Sequence, residues 1–331
     1  MEKIDFVITW VDGSDSAWQA EKAKYRPSGD SRSIRYRDWD ALRYWFRGVE
    51  AYAPWVNRIH FVTWGHVPQW LNTDHPKLHI ARHEEFIPGE YLPTFSSHPI
   101  ELNMHRIGGL SERFVYFNDD FYLTAPVKPT DFFRGGLPCD SLEEMPMDLG
   151  DRSQMVRIKT NDIVLLNMHK SKRKSRREHP GKWFSLRTPA VALKNLLLSP
   201  IRSRDFFGLK IHHLPQAYLK STLEQVWAAE PGWLHETCLR KFRDDEDVSP
   251  HSFKFWQLVS GNFSPYDVRR AGAWFPAGTD CAAACDIIRH RSRKYLCYND
   301  NDLSAEAFEQ EKRSLLAAFE EALPGKSSFE R

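Results

Sequence analysis

Three short apolar runs, each broken by turn residues, constrain the fold of this chain more than any other feature. The runs are Ile4–Trp10, Arg58–Trp64 and Arg113–Phe117, and each is rich in β-branched or aromatic residues. Apolar runs of this length bounded by turn residues are typical of β-strands. Between the first two runs, apolar residues recur at helical spacing and predict a helix that ends at Pro54; they are Leu42, Trp45, Phe46, Val49 and Ala53.

A second helix is predicted over Ile100–Leu110, stopping near Gly108 and Gly109. The resulting order of strand, helix, strand, helix and strand predicts an α/β fold with a mainly parallel sheet flanked by helices. Polar residues follow the first and third strands. In open α/β sheets this is the edge where ligands bind.

The second half of the chain has a weaker pattern. Residues 126–160 are rich in turns, whereas 213–230, 235–243 and 251–260 are predicted to be helical. Ser304–Leu323 predicts an amphipathic helix, with an apolar face made of Phe308, Leu315, Leu316, Phe319 and Leu323. Four parts are therefore expected: an α/β half at 1–125, an irregular insertion at 126–210, the rest of the catalytic domain at 211–303, and a helical tail at 304–331.

The charge balance hides an uneven distribution. With 46 Lys and Arg against 44 Asp and Glu, the net charge of +2 excludes a globally basic nucleic-acid coat protein and an acidic tail. Residues 169–182, however, hold seven basic residues and one acid. The simplest interpretation is a solvated or disordered loop. Two more specific interpretations are that this segment binds an anionic polymer or binds the anionic inner face of a membrane.

Two further features concern the compartment. No segment approaches the roughly 18 apolar residues of a membrane span, and the N-terminus lacks the apolar core of a signal peptide, so we expect a cytoplasmic protein. The five cysteines, irregularly spaced, argue against a disulfide framework. A zinc cluster is a minor alternative to reduced thiols; its members would be Cys281, Cys285, His290 and Cys297.

Several polar positions are candidates for chemistry. Asn118-Asp119-Asp120 closes a strand, and such carboxylates suit either a magnesium or manganese site or a simple capping turn. Asp12 ends the first strand in a similar way, although the Asp-Gly pair is also a common turn. His213 near the start of a predicted helix suits a general base, although a lone histidine is more often structural.

Three weaker signals complete the candidates. Arg243 precedes the acidic run 244–247, which by itself is typical of a solvated surface. Ser97 lies ahead of the helix predicted from Ile100, and Glu101 lies in the first turn of that helix; this is typical of N-capping, although such a loop also suits the lining of a site. The pair Asn299-Asp300 is also typical of a simple turn.

Taken in order, these segments resemble the four conserved blocks of the Stealth family. That family includes bacterial capsular-polysaccharide phosphotransferases and the animal N-acetylglucosamine-1-phosphotransferase. The first block resembles residues 4–15, and the second runs from Arg35 to Leu123. The third begins at His213 and continues to Asp247, and the fourth is 297–301.

The resemblance implies a Rossmann-like or GT-A-like nucleotide-binding sheet with a helical insertion. It also implies transfer of a hexose-1-phosphate from a nucleotide-diphosphate sugar, by family habit UDP-linked as in UDP-GlcNAc, to a saccharide hydroxyl in capsular or exopolysaccharide synthesis. A nucleoside monophosphate is released. The nearest alternative is a metal-dependent glycosyltransferase, which attacks the sugar carbon and releases a nucleoside diphosphate. A more distant one is a non-catalytic binding protein for anionic glycans or membranes.

The resemblance also implies roles for individual residues. The expected catalytic residues are Asp120, His213 and Arg243. Mg²⁺ or Mn²⁺ is the implied cofactor, held by Asp119, Asp120 and Asp300. The expected substrate-binding residues are Asp12, Ser97, Glu101, Arg106 and Asn299, of which Asp12 falls where some relatives carry Asn. Direct transfer and a phospho-histidine intermediate on His213 both stay open.

Overall fold

The computed structural model describes residues 3–25, 36–148, 150–151, 153–201 and 203–331, so Arg35, where the second block begins, lies outside the described residues. Its strands are β1 (Ile4–Thr9), β2 (Ile59–Thr63), β3 (Leu78–Arg82), β4 (Arg113–Phe117), β5 (Phe121–Leu123), β6 (Phe133–Arg134), β7 (Leu137–Asp140), β8 (Gln216–Leu219), β9 (Ser264–Pro265), β10 (Gly272–Pro276) and β11 (Tyr295–Asn299).

The helices are α1 (Ser16–Ala23), α2 (Leu42–Tyr52), α3 (His83–Phe86), α4 (Ser97–Leu102), α5 (Pro129–Phe132), α6 (Gln154–His169), α7 (Lys172–Glu178), α8 (Pro180–Trp183), α9 (Pro189–Leu197), α10 (Lys220–Ala229), α11 (Pro231–Leu239), α12 (His251–Val259), α13 (Val268–Ala271), α14 (Cys281–His290) and α15 (Ala305–Ala322). Short 3₁₀ turns cover Gly89–Tyr91 and Met104–Arg106.

The main sheet has five strands in the order β3-β2-β1-β4-β8. The first four run parallel, and β8 pairs antiparallel with β4 at the edge. This confirms the predicted α/β fold with a mainly parallel sheet. Because β1 and β4 run parallel, their carboxyl ends meet at one edge, which brings the residues after Thr9 and after Phe117 together.

Both faces of this sheet are buried. Side chains alternate along a strand, so Phe6 packs into one core with α2 and α15, whereas its neighbour Val7 packs into a second core on the opposite face. In β4, Val115 likewise packs into the first core and Tyr116 into the second. Burial on both faces explains why β1 and β4 read as continuous apolar runs and not as alternating ones.

A second, three-stranded sheet lies beside the carboxyl edge of the first, in the order β10-β11-β5. Strand β5 begins directly after Asp120 and pairs antiparallel with β11, with Phe121 opposite Cys297. Strand β10 runs parallel to β11. This pairing carries the C-terminal part of the chain back to the end of β4. The remaining small sheet joins β6, β7 and β9.

Three of the predicted helices differ from the structure, and the one predicted over 235–243 instead spans Pro231–Leu239. The prediction of helix over 213–230 is wrong for its first part, because Gln216–Leu219 form β8 and the helix begins at Lys220. The residues of β8 gain backbone hydrogen bonds from β4, a partner that local periodicity does not reveal. The helix predicted over Ile100–Leu110 instead begins at Ser97 and gives way to the 3₁₀ turn after Leu102.

The predicted C-terminal helix is confirmed as α15, and the Ser304 hydroxyl caps it by accepting a hydrogen bond from the Ala307 backbone. Its apolar face packs on the N-terminal half of the chain. The ring of Phe319 stacks on Tyr44 with centroids 5.3 Å apart and contacts Tyr122 at 4.8 Å. The division into four parts stays a prediction, although this packing joins the first and last parts in one core.

The basic run 169–182 is helical, so its interpretation as a solvated or disordered loop is wrong. The run forms the end of α6, all of α7 and the start of α8. The Lys172 side chain is buried, with 1% exposure, and forms an ion pair with the buried Glu144. A buried lysine is stable only with such a partner, which the sequence pattern could not supply.

Candidate active site

A cavity of about 1020 Å³ opens at the carboxyl edge of the main sheet. Its lining joins residues from the ends of β1 and β4, the start of α4, the segment before β8 and the end of β11. Most of the predicted site residues line it: Ser97, Glu101, Asp119, Asp120, His213, Arg243, Asn299 and Asp300. Residues far apart in sequence therefore share one cavity.

Asp120 is the point where these segments meet. Its Oδ2 accepts a 2.8 Å hydrogen bond from Asn299 Nδ2 and a 3.4 Å contact from Cys297 Sγ. His213 Nε2 lies 3.7 Å from the same oxygen. Although burial alone would raise the pKa of Asp120, the contacts from His213, Asn299 and Cys297 lower it overall. Asp120 is therefore a carboxylate at neutral pH.

The position of His213 depends on a close approach between two segments. A Cβ atom added at Gly272, the first residue of β10, would lie 2.5 Å from Leu214 Cδ1, so a larger residue at this position would require the Leu214 side chain to shift. The His213 ring also packs edge-on against Phe121, at 4.8 Å between centroids. These contacts aim a half-exposed imidazole at Asp120.

The acidic residues of the cavity divide into two groups. Restricted hydration, followed by repulsion from Asp120, Asp38 and Asp300, raises the pKa of Asp119 to about 8. Asp300, in contrast, accepts two hydrogen bonds from Arg37, at 2.8 Å from Nε and 2.5 Å from the terminal nitrogen. Arg37 neutralises Asp300, whereas no Arg or Lys among the described residues pairs with Asp119 or Asp120.

Glu101 and Ser97 sit on α4, on the other side of the cavity. The buried Glu101 carboxylate accepts a 2.8 Å hydrogen bond from the Tyr116 hydroxyl, which in turn lies 3.1 Å from the Thr9 hydroxyl. Burial raises the pKa of Glu101, and Tyr116 and Arg243 oppose the increase. Ser97 Oγ accepts a 2.9 Å hydrogen bond from Arg243. Arg243 thus connects the third conserved block to α4.

Two predicted substrate-binding residues do not line the cavity. Asp12 lies beside it, where Oδ1 accepts hydrogen bonds from the backbone and hydroxyl of Ser14 at 2.8 and 2.6 Å. This is the turn that its Asp-Gly pair also indicated. Arg106 lies on the surface, with its guanidinium 5.4 Å from the Trp227 ring centroid. Arg106 therefore lies outside the lining of the cavity, and its assignment to substrate binding stays a prediction.

The cavity also contains residues that were not predicted. Lys159 and Lys210 line one wall, and burial lowers the pKa of Lys159. Trp274 also lines it and is 49% exposed. Asp38 adds a third acid near Asp119, and burial raises its pKa. Of these, only Asp38 lies in a conserved block, which is the one signal that could have found it.

The donor atoms at Asp120 suit a cation. Its Oδ1 is buried and has no hydrogen-bond partner among the described residues, while Asp119 stands next to it with a raised pKa. A buried carboxylate oxygen without a partner is costly unless a ligand compensates it. Asp120, His213 and Cys297 also hold potential ligand atoms within 4.8 Å of one another.

The alternative zinc cluster does not form. All five cysteines are free, and within the described ranges the group at Asp120 is the one set of three or more ligand atoms that converge. Cys281 Sγ lies 3.9 Å from Cys285 Sγ, whereas Cys297 points instead to Asp120. The expectation of reduced thiols is confirmed.

The topology of the sheet and the position of the cavity are typical of α/β enzymes. A polar cleft at the carboxyl edge of a mainly parallel sheet is where α/β enzymes bind their ligands. A distant likeness extends to a solved structure of the galactosyltransferase LgtC in complex with donor and acceptor sugar analogs. It covers 95% of each chain at 10% identity, with a TM-score of 0.40.

Sequence comparison identifies the family. The model of Stealth protein conserved region 1 matches residues 2–30, and that of conserved region 2 matches residues 35–138. The capsular polysaccharide phosphotransferase WcwK of Streptococcus pneumoniae is 38% identical over the full length of both chains. The receptor polysaccharide phosphotransferase WefC of Streptococcus oralis is 39% identical, also over both full lengths. The chain belongs to the Stealth family and is an enzyme of the phosphotransferase class.

Proposed function

We propose that this enzyme transfers a hexose-1-phosphate from a nucleotide-diphosphate sugar to a hydroxyl group of a saccharide acceptor in capsular or exopolysaccharide synthesis. One observation carries the proposal: Asp120 holds both Asn299 and His213 at the edge of the cavity, so a carboxylate, an amide and an imidazole converge. Phosphoryl transfer needs such positioning, together with charge stabilisation and a group that takes the acceptor proton.

In the proposed step, the acceptor oxygen attacks the sugar-bearing phosphorus of the donor. A phosphorus–oxygen bond forms to the acceptor, the bridging bond to the other phosphate breaks, and the nucleoside monophosphate leaves. His213 takes the acceptor proton. With its Nε2 proton directed at Asp120, His213 presents Nδ1 as the base. Asp120 then stabilises the imidazolium that forms. The transfer is direct and needs no covalent intermediate.

Basic side chains that line the cavity are proposed to bind the donor diphosphate. Arg243 stands beside Ser97 with its fork of donors, and Lys159 and Lys210 line the same cavity. Arginine suits phosphate because its planar fork donates two parallel hydrogen bonds. We assign Arg243 to the diphosphate, and Ser97 and Glu101 to the nucleotide or sugar of the donor. The base is proposed to be uracil and the donor a sugar such as UDP-GlcNAc.

Asp119 and Asp120 would hold a divalent cation, Mg²⁺ or Mn²⁺, against the diphosphate. When bound, such an ion neutralises phosphate charge that develops during transfer. The partnerless Oδ1 of Asp120 and the raised pKa of Asp119 support this assignment. Asp300 is left out of the proposed set because Arg37 already engages both of its oxygens.

The acceptor saccharide is proposed to stack on Trp274. In the parallel pair of β10 and β11, Trp274 lies opposite Cys297, so the two side chains point to the same face. Cys297 on that face contacts Asp120, which places the exposed indole next to the reacting groups. Tryptophan rings bind the apolar faces of ligands while leaving polar groups hydrated.

The decisive experiment identifies the nucleotide that is released. The purified enzyme is incubated with a panel of nucleotide sugars, Mg²⁺ and a capsular oligosaccharide, and the products are followed by phosphorus NMR and mass spectrometry. We expect a nucleoside monophosphate and a new phosphodiester. Release of a nucleoside diphosphate would instead support the glycosyltransferase alternative. Since nucleotide sugars are made in the cytoplasm, we propose that the enzyme works there, at the inner face of the membrane.

A further inference from the structure

A group of large apolar side chains is exposed at one end of the helical insertion. On α9 and its flanking segments, Leu186 is 93% exposed and Leu197 is 71% exposed. Leu193 and Leu196 are each 58% exposed, and Ile201 is 47% exposed. Scattered exposed leucines are ordinary, but several on one short segment mark an interaction surface.

The opposite side of α9 is anchored in the protein. Val191 and Asn195 are buried, and the Asn195 amide donates hydrogen bonds of 2.8 and 2.9 Å to the backbone oxygens of Leu142 and Trp183. Because these contacts fix the rotation of the helix, Leu193, Leu196 and Leu197 are held outward. Their exposure is thus a consequence of the fold.

Basic side chains surround these leucines. Residues 170–205 contain eleven Lys and Arg against two acids. Among the described residues of this segment, the exposed basic ones are Arg173, Lys174, Arg177, Arg187, Lys194 and Arg204. Helix α7 is joined to the end of α9 by a contact between Arg176 and Ser199, and the Lys172 backbone donates a 2.8 Å hydrogen bond to the Arg204 carbonyl. The basic and apolar groups therefore form one continuous surface.

We propose that this surface, made of α7, α9 and the segments that flank α9, docks on an anionic lipid bilayer. Exposed leucines enter the interface between headgroups and acyl chains, and the basic residues pair with anionic headgroups. The described helices are individually too short or too polar to cross a bilayer, so the contact is peripheral. Residues 169–182 supply only part of the charge, whereas α9 supplies the apolar anchor.

Charge favours a bilayer over a second copy of the chain. Symmetric pairing of this surface would bring like-charged arginines and lysines together, which is destabilising. An anionic membrane carries the complementary charge and also accepts exposed leucines. An anionic bilayer therefore matches both the basic and the apolar residues of the surface.

Ion pairs link the surface to the lining of the cavity. Glu143 pairs with Lys194 of α9 at 2.5 Å and with Arg269 at 4.0 Å, and Arg269 lines the cavity. This link rests on the proposed function and suggests that a membrane-borne acceptor saccharide reaches the cavity from this side. The docking itself does not depend on catalysis.

The test measures binding to lipid vesicles by co-sedimentation. The full chain is mixed with phosphatidylcholine vesicles, with or without phosphatidylglycerol, at low and high ionic strength. We expect binding only to the anionic vesicles, weakened by salt. The double variant L196E/L197E should lower the partition coefficient about tenfold or more. The triple variant R173Q/K174Q/R177Q should lower it by roughly fivefold per charge removed.

Two control variants make the same kinds of substitution at other exposed positions of the protein. L239E alters an exposed leucine of α11, and K24Q/R313Q/K326Q removes three exposed charges far from α9 in sequence. Both should bind as the wild type does. Equal binding of L196E/L197E and the wild type, or no binding of the wild type to anionic vesicles, would overturn the proposal. So would a wild-type dimer that L196E/L197E converts to a monomer without any vesicle binding. Because vesicle binding needs no turnover, failure here leaves the proposed reaction intact.

Discussion

The side-chain amide of Asn299 donates a 2.8 Å hydrogen bond to Oδ2 of Asp120, although the two residues are 179 positions apart in the sequence. The bond joins the last conserved block to the second one. It also leaves Oδ1 of Asp120, which has no hydrogen-bond partner in the described part of the chain, directed to other ligands. Asn299 is therefore expected to position Asp120 for its partners in the cavity.

Replacing Asn299 with alanine should lower kcat by about 10- to 100-fold. The loss of one hydrogen bond to a charged group costs roughly 1.5–3 kcal/mol, which corresponds to that range if the bond is needed in the transition state. Steady-state kinetics with donor and acceptor varied separately give the measurement. N72A, which changes a partly buried asparagine outside the cavity, is the control. An unchanged kcat for N299A would remove Asn299 from the site.

Replacing His213 with glutamine should abolish turnover while the affinity for the donor is kept. The imidazole is proposed to take the acceptor proton, and glutamine offers no base of similar pKa. Donor binding is measured by calorimetry and turnover by nucleotide release. Rapid quenching with a donor labelled in the sugar phosphate tests the mechanism further. A labelled His213 in the wild type would show a covalent intermediate and refute direct transfer.

Removal of divalent cations should stop the reaction, and added Mg²⁺ or Mn²⁺ should restore it. A separate binding measurement uses Mn²⁺ alone, followed by electron paramagnetic resonance. D119N and D120N should each weaken Mn²⁺ binding, because each removes a carboxylate of the proposed site. D300N is the matched control, since Asp300 is already paired with Arg37. Equal Mn²⁺ affinity in the wild type, D119N and D120N would exclude this site.

Replacing Trp274 with alanine should raise KM for the acceptor by roughly tenfold, since aromatic contacts of this kind contribute about 1 kcal/mol or more. The donor KM should stay the same. Because half of the side chain is exposed, the melting temperature should change little. W274F keeps an aromatic face and should recover most of the acceptor affinity. A larger effect on the donor KM than on the acceptor KM would contradict the assignment.

We expect the free energy of unfolding to depend on pH because of Glu330 in the C-terminal tail. Burial alone would raise the pKa of Glu330, but hydrogen bonds from Arg47 and Ser327 lower it overall below the ordinary value of 4.5. The ion pair between Glu330 and Arg47, at 2.8 Å, therefore stabilises the fold above about pH 4.5 and is lost as the pH falls through the lowered pKa.

E330Q should therefore lower the free energy of unfolding by roughly 1–3 kcal/mol at neutral pH, and the difference from the wild type should shrink in acid. Urea unfolding at several pH values measures this. K326Q, which changes an exposed residue of the same tail, should unfold as the wild type does. A difference that grows in acid would contradict the sign of the shift.

Local patterns in the sequence determined much of the framework. The apolar runs at β1, β2 and β4, the helix that begins at Leu42 and the amphipathic α15 were all predicted, because each depends on periodicity within a few residues. The resemblance to the Stealth family also identified site residues of which most line the cavity. The strand β8 was not predicted, since Gln216–Leu219 become extended only when β4 supplies their hydrogen bonds.

The tertiary structure alone decided which side chains meet. Asp300 was expected to bind a metal but is paired with Arg37, and Arg106 was expected in the site but lies on the surface. The buried Lys172 and the exposed Leu197 reverse what hydropathy predicts for each. The physical reason is that burial and pairing depend on contacts between residues far apart in the chain, whereas a sequence pattern reports only the preferences of neighbours.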